Sequence, residues 1–157
     1  MLIQLTEYEY ELALFIASQR QTHNVFRKEA KPRYGAGRNR EHEFNIRGVM
    51  GELVVAKALN RFYSGACGDF EAKDVSTFQI RTSSKRVPYL ILHKPDGPDD
   101  IFVHVTEMDG GAYTVTGWLQ AGEGQVDGFW CDKYKNKRPA YFVPISRLHS
   151  IDTLPDE

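Results

Sequence analysis

The stretch "KDVSTFQIRTSSKR", Lys73 to Arg86, decides how the chain is read. Strand side chains alternate faces, so in "FQIRT" Phe78, Ile80 and Thr82 share one face while Gln79 and Arg81 share the other. The apolar face can pack on a helix, and the polar pair then points together to one place. Asp74 lies far enough upstream to reach that place from a preceding turn or strand end. A carboxylate, an amide oxygen and the Ile80 backbone carbonyl are hard oxygen donors, the kind Mg²⁺ prefers. Arg81 adds a fixed positive charge where a phosphate under attack accumulates negative charge.

Upstream, "IRGVMGELVVAKAL" (Ile46 to Leu59) belongs to a helix predicted over about 43–62. It is apolar around most of its circumference, the mark of a buried helix. Glu52 sits inside it, near Gly48, Gly51 and Ala56, which are small enough to let other backbone or a ligand approach. A buried carboxylate needs a cation or a metal. The sequence leaves both open: an ion pair with Arg81 or Lys57, or a metal site.

Around these two segments the remaining elements follow from local signals. Thr6-Glu7-Tyr8-Glu9 has the form of a capping box and opens a helix to about residue 24, with Tyr8, Leu12, Phe15 and Ile16 as its apolar stripe. Pro32, Gly35 and Gly37 place a mobile basic loop over 27–42. "PYLILHK" is a nearly continuous apolar run that suits a central strand. "IFVHVTE" and "AYTVTGWL" form a hairpin through Asp109-Gly110-Gly111. The stretch from Gln120 to Ala140 reads as a loop-like insertion, and "YFVPISRLHSI" as a short strand with a helical turn. The expectation is a single α+β domain over 1–157, with N-terminal helices packed on a central mixed β-sheet.

Composition bounds the function classes. At 157 residues, 41% hydrophobic and 26% charged, the chain is long and apolar enough to bury a core. No apolar run is long enough to span a membrane, and the N-terminus lacks the pattern of a signal peptide. Cys67 and Cys131 match no metal or redox spacing, so buried free thiols and a cytoplasmic location are expected. Net charge is −1, yet seven basic residues between Arg27 and Arg47 face only three glutamates. That local excess makes Arg27, Lys28, Lys31, Arg33, Arg38 and Arg40, with Lys85 further on, candidate contacts for nucleic-acid phosphates.

Other constellations are weaker. His93 and His104 lie in neighbouring predicted strands, but no second ligand pair is spaced for a metal between them. Asp69 is an alternative to Asp74, and the carboxylates of "KPDGPDD" read as an acidic turn. Trp130, beside the basic run Lys133, Lys135, Lys137 and Arg138, can stack on a base or plug a sheet end.

A helix glutamate followed by Asp-x(n)-Glu/Gln-x-Lys on a turn and strand is the signature of the PD-(D/E)xK nuclease superfamily. The chain resembles small phage and prophage proteins within it, through "GVMGE" ending at Glu52, "DVSTFQIRT" from Asp74, "TGWL" around Trp118 and "AYFVP" from Ala140. The resemblance spans roughly residues 45–150 and is carried by the order and spacing of short motifs. It implies a restriction-endonuclease-like core and a Mg²⁺- or Mn²⁺-dependent nuclease hydrolysing phosphodiester bonds in DNA, in a bacterial host cell if phage-encoded, with a homodimer allowed. Asp74 would be the metal-binding aspartate, Gln79 the second side-chain ligand, Ile80 a carbonyl ligand and Glu52 the helix glutamate. Arg81 stands where the family carries lysine. An arginine stays protonated, so it can orient and stabilise but cannot act as a general base. Lys85, four residues on, is the candidate to replace the missing ammonium. The alternative from a different class is a catalytically inactive nuclease-fold protein that binds nucleic acid, or binds a host protein as a phage-encoded modulator.

Overall fold

The computed structural model describes residues 1–26, 38–65 and 73–156. Thr6 caps the first helix as its sequence predicts: its backbone N–H donates to the Glu9 carboxylate at 2.6 Å and its hydroxyl accepts from the Glu9 N–H. From this start α1 runs Glu7–Phe26 and packs against α2, Arg38–Ala58. The second helix therefore begins inside the segment expected to be a loop, and Arg38 and Arg40 lie in its first turn. The rest of that loop, with Arg27, Lys28, Lys31 and Arg33, lies outside the described residues, as does Asp69.

The face that α1 buries is not the one its large side chains suggest. Ala13, Ile16 and Ala17 are buried, whereas Tyr8, Leu12 and Phe15 are exposed. Small residues let two helix axes approach closely, so the alanines face α2 and the larger apolar groups turn outward. Of the expected stripe only Ile16 is in the core.

Among the described residues seven strands form two sheets. The first has the order β1 (Leu2–Gln4), β5 (Ala112–Gln120), β4 (Ile101–Glu107), β2 (Gln79–Ser84). It is mixed: β2 runs parallel to β4 and the other pairs are antiparallel. The second has the order β3 (Tyr89–Leu92), β7 (Ala140–Pro144), β6 (Trp130–Cys131), all antiparallel. "YLIL" is thus an edge strand of the smaller sheet, not a central strand. Its apolar run has a different cause: Leu90 and Leu92 are fully buried against Phe102, Leu119 and Val143, under the far face of the first sheet.

The architecture is α+β in three layers: two helices, a mixed four-stranded sheet and a small sheet. On β4 the alternation is clean. Val103 and Val105 join the core under α2, while Phe102 turns to the smaller sheet. The expected hairpin between β4 and β5 is present through Asp109–Gly111, with Gly110 at φ 75° and Gly111 at φ 76°, where only glycine is unstrained. The insertion after β5 contains a helical turn, Ala121–Gly124, and the short strand β6. Cys131 is exposed and unbridged, contrary to the buried thiol expected, and Cys67 lies outside the described residues. Among the described residues no helix is long and apolar enough to cross a membrane.

Candidate active site

The first sheet ends at β1 on one side and at β2 on the other, and the candidate residues gather at the open β2 edge. Phe78 and Ile80 are buried toward α2. Thr82 meets Gly51 of α2 so closely that a methyl on Gly51 would overlap the Thr82 Oγ1. Arg81 leaves the opposite face, its guanidinium 4.8 Å from the centre of the Phe102 ring. The alternation expected for "FQIRT" is therefore realised.

Asp74 reaches the strand through a tight turn. Val75 and Phe78 pair as a bridge and are both buried, with Ser76 at φ 57° between them. The turn folds the Asp74 carboxylate back over the strand, where its Oδ2 accepts from the Ile80 N–H at 2.6 Å. In an extended strand a residue's N–H and C=O point to the same side. Because Ile80 turns its N–H to Asp74 rather than to β4, its carbonyl also faces the open edge.

Glu52 comes from α2 and lines the same cavity. Its two oxygens are held by Arg20 of α1, both contacts at 2.7 Å, and the Tyr63 hydroxyl donates to it at 2.6 Å. The expected partners were Arg81 or Lys57. Lys57 instead binds Glu9 and the Gln4 carbonyl, and Arg81 pairs with Asp96 at 3.3 Å. Burial is the largest single influence and disfavours the Arg20 charge, but hydrogen bonding and Coulombic attraction to Glu52, with Tyr63 and Asp74 acting the same way, together outweigh it and raise the guanidinium above its ordinary value. Burial and the Glu52 carboxylate push the Tyr63 phenol well above its usual range.

Glu52, Asp74, Ile80 and Arg81 line one cavity of about 760 Å³ between the α2–β2 side and the smaller sheet. Gln79 is half-buried on the same strand but is not among its lining residues. Lys85 is exposed beyond the end of β2, pairs with Asp109 and does not reach the cavity. The Asp74 carboxyl is pushed up to about 6, first by burial and then by the neighbouring Glu52 carboxylate; the Ile80 N–H, Arg81 and Arg20 act the other way. Arg20 neutralises Glu52 directly, whereas among the described residues no cation is bound to Asp74 at that distance.

Three features escaped the sequence. Arg20 and Tyr63 clamp Glu52 from 32 and 11 residues away; the i, i+3, i+4, i+7 spacing of Ala13, Ile16, Ala17 and Arg20 is the signal that would have placed Arg20 on the inner face. Asp96 holds both Arg81 and the His93 N–H. The acidic turn is thereby accounted for, since Asp100 binds Lys73 and Asp99 binds Gln120. His93 and His104 both line the cavity. His104 is fully buried, its Nε2 is 3.0 Å from the Ser83 hydroxyl, and burial pushes its ring down to about 4.

A hard divalent cation suits the donors at the open edge: the Asp74 carboxylate, the Ile80 carbonyl and Glu52 are all oxygen. Burial first, and then the Glu52 carboxylate, make an ionised Asp74 unfavourable there, and a bound cation would relieve that. Among the described residues no three His, Cys, Asp or Glu side chains cluster as a metal site, so backbone oxygen must complete the set. Comparison with family models, with curated proteins and with solved structures gives no match. The resemblance to PD-(D/E)xK nucleases accordingly rests on the sequence motifs alone.

Proposed function

We propose that the chain is a metal-dependent nuclease that hydrolyses phosphodiester bonds in DNA. The observation that carries this reading is the meeting of Asp74 and Glu52 in one cavity beside the outward-facing Ile80 backbone, with Asp74 held up near 6 by burial and its carboxylate neighbour. Asp74, the Ile80 carbonyl and Glu52 would hold Mg²⁺ or Mn²⁺. When bound, that ion supplies a lowered water pKa and charge stabilisation at phosphorus.

The chain's own groups have distinct tasks. Asp74 offers the carboxylate that is not ion-paired, fixed in direction by the Ile80 N–H. Glu52 is held in one orientation by Arg20 and Tyr63 and sets the local negative potential. Arg81, braced on Phe102 and Asp96, presents a permanent positive charge to the phosphate and cannot take a proton from water. Arg47 and Arg138 also line the cavity and suit backbone phosphates.

The test is cleavage of plasmid and of labelled DNA in Mg²⁺ or Mn²⁺. Asp74→Ala should abolish metal-dependent cleavage, Arg81→Lys should retain measurable activity, and Arg81→Ala should lose it. Cleavage by clean Asp74→Ala protein refutes the assignment.

One observation favours the second reading, a non-catalytic nucleic-acid-binding protein. Both Glu52 oxygens are already satisfied, and Arg81 is tied to Asp96. Calorimetric titration with Mn²⁺ separates the two. Heat of binding in the wild type that disappears in Asp74→Asn supports the nuclease; no heat alongside retained DNA binding supports the binder.

A further inference from the structure

The wall of the cavity facing the carboxylates is built by the loop between β6 and β7, residues 132–139, which the sequence presents as a solvated basic run. The loop is wound around one side chain. The Asp132 carboxylate accepts from the Asn136 N–H at 3.1 Å and the Lys137 N–H at 2.9 Å, and the Asn136 side-chain oxygen accepts from the Arg138 N–H at 3.1 Å. Lys135 and Lys137 take left-handed backbone, φ 52° and 60°. The consequence is an alternation: Tyr134, Asn136 and Arg138 line the cavity, while Lys133 lies over the Tyr89 ring at 4.3 Å.

The inward groups match an unstacked nucleotide. Tyr134 is 51% exposed and stands edge-on to Phe142, ring centres 5.6 Å apart at 78°. Phe142 in turn meets Tyr89 edge-on at 6.0 Å and 86°, so the tyrosine sits on a packed aromatic support. An aromatic ring fixed by a perpendicular neighbour and still half exposed can offer its face as a stacking platform for a base. An asparagine amide can pair with a base edge, and an arginine guanidinium suits phosphate. The loop also carries a surplus of three positive charges over residues 132–138.

We infer that this aromatic wall is a nucleobase subsite, and that the ligand is an unpaired nucleotide in a single strand, its base against Tyr134 and its phosphate toward Arg81 and Arg138. This deepens the nuclease reading and rests on it for the placement of the phosphate, but not for the base. In a paired duplex the bases stay inside the stack and offer no face to the wall unless one is flipped out. A cavity of about 760 Å³ is within the usual range for enclosing a small ligand, roughly 300–1,000 Å³.

The experiment is fluorescence anisotropy of the full chain with EDTA present, so that binding is read apart from cleavage. The probes are a short fluorescein-labelled oligodeoxythymidylate, the matching oligouridylate and a blunt duplex of equal length, each at two salt concentrations. The single-stranded probe should bind more tightly than the duplex. Tyr134→Ala should weaken that binding roughly 5- to 150-fold, the range expected for one base–aromatic stack, and Tyr134→Phe should restore it to within about twofold, since the face is kept. Tighter binding of the oligouridylate keeps the subsite and assigns the strand to RNA. Equal binding of duplex and single strand, no binding to any probe, or an unchanged affinity in Tyr134→Ala overturns the inference. Because Tyr134 is not one of the groups proposed to hold the metal, loss of cleavage in Asp74→Ala with intact Tyr134-dependent binding leaves the subsite standing. Tyr134-independent binding with metal-dependent cleavage leaves the nuclease standing without it.

Discussion

Replacing Asp74 by asparagine should make the protein more stable at neutral pH. The Asp74 carboxyl is raised from 3.8 to about 6 in the folded chain. Each tenfold in proton affinity corresponds to about 1.4 kcal/mol, so keeping this group ionised in the fold costs about 3 kcal/mol. The sign follows from proton counting. Below about pH 4 both folded and unfolded chains hold the proton and Asp74 contributes nothing. Between about 4 and 6 the folded chain binds more protons than the unfolded one, so stability falls as pH rises. Above 6 the whole cost is present. Asparagine is neutral at every pH and its side-chain oxygen can still accept from the Ile80 N–H. Asp74→Asn should therefore match the wild type near pH 4 and exceed it by about 2–3 kcal/mol at pH 7. For a chain of this size that is a rise in Tm of roughly 4–12 °C. Urea unfolding in EDTA across pH 4–7.5 measures the gap. Saturating Mn²⁺ should then close it from the other side, stabilising the wild type but not the variant, by about 2.7 kcal/mol at a hundredfold excess over Kd. An asparagine variant no more stable than wild type at pH 7, or a gap that ignores pH, refutes the electrostatic picture of the site.

Two further outcomes test the scaffold. Arg20→Met leaves the Glu52 carboxylate, only 6% exposed, without its guanidinium; it should destabilise by about 3–5 kcal/mol, and adding Glu52→Gln should recover a large part, both read by urea unfolding, with a loss below about 1 kcal/mol in Arg20→Met counting against a buried pair. Gly51→Ala drives a methyl into the Thr82 hydroxyl and should lower stability by about 1–3 kcal/mol; Thr82→Ala, which removes a hydroxyl with no hydrogen-bond partner, should reverse that loss in a thermal melt, and equal damage in single and double variants would place the strain elsewhere.

What was legible in the sequence was local and periodic. "FQIRT" announced its two faces because one of them is apolar, and Phe78 and Ile80 are buried as that pattern requires. The Thr6–Glu9 cap was legible for the same reason, being complete within four residues. What failed was everything settled at long range. Tyr8, Leu12 and Phe15 have the spacing of a core stripe, but the close approach of α1 to α2 selects Ala13 and Ala17 instead. "YLIL" is apolar because a second layer covers it, and no local signal separates that from a central strand. The partner of Glu52 lies 32 residues upstream, so a carboxylate in an apolar helix could announce a need for a cation but not its source. The cavity wall at 132–139 was hidden because basic residues in a loop usually mean only solvent. The winding around Asp132 gives Tyr134, Asn136 and Arg138 one direction.

The two carboxylates at the open edge are not equivalent, and the difference bears on what each can do. Glu52 has a guanidinium and a phenol on it and is part of the helix packing, so its loss should be felt first as instability. Asp74 has one backbone N–H and, among the described residues, no cation bound to it, so its charge is held at a cost that the fold meets elsewhere. At this edge Glu52 sits with Arg20 and Asp96 with Arg81, whereas Asp74 has no ion-pair partner among the described residues. Under the proposed function, a divalent cation would meet the Asp74 charge, and Arg81 with the other cavity arginines, Arg47 and Arg138, would meet the phosphate. On that reading a permanent cation at Arg81 serves the phosphate, and a proton acceptor is not needed there. A lysine there would meet the same charge requirement with a weaker hold on Asp96 and Phe102, which is why Arg81→Lys is expected to keep the reaction and lose only part of its rate.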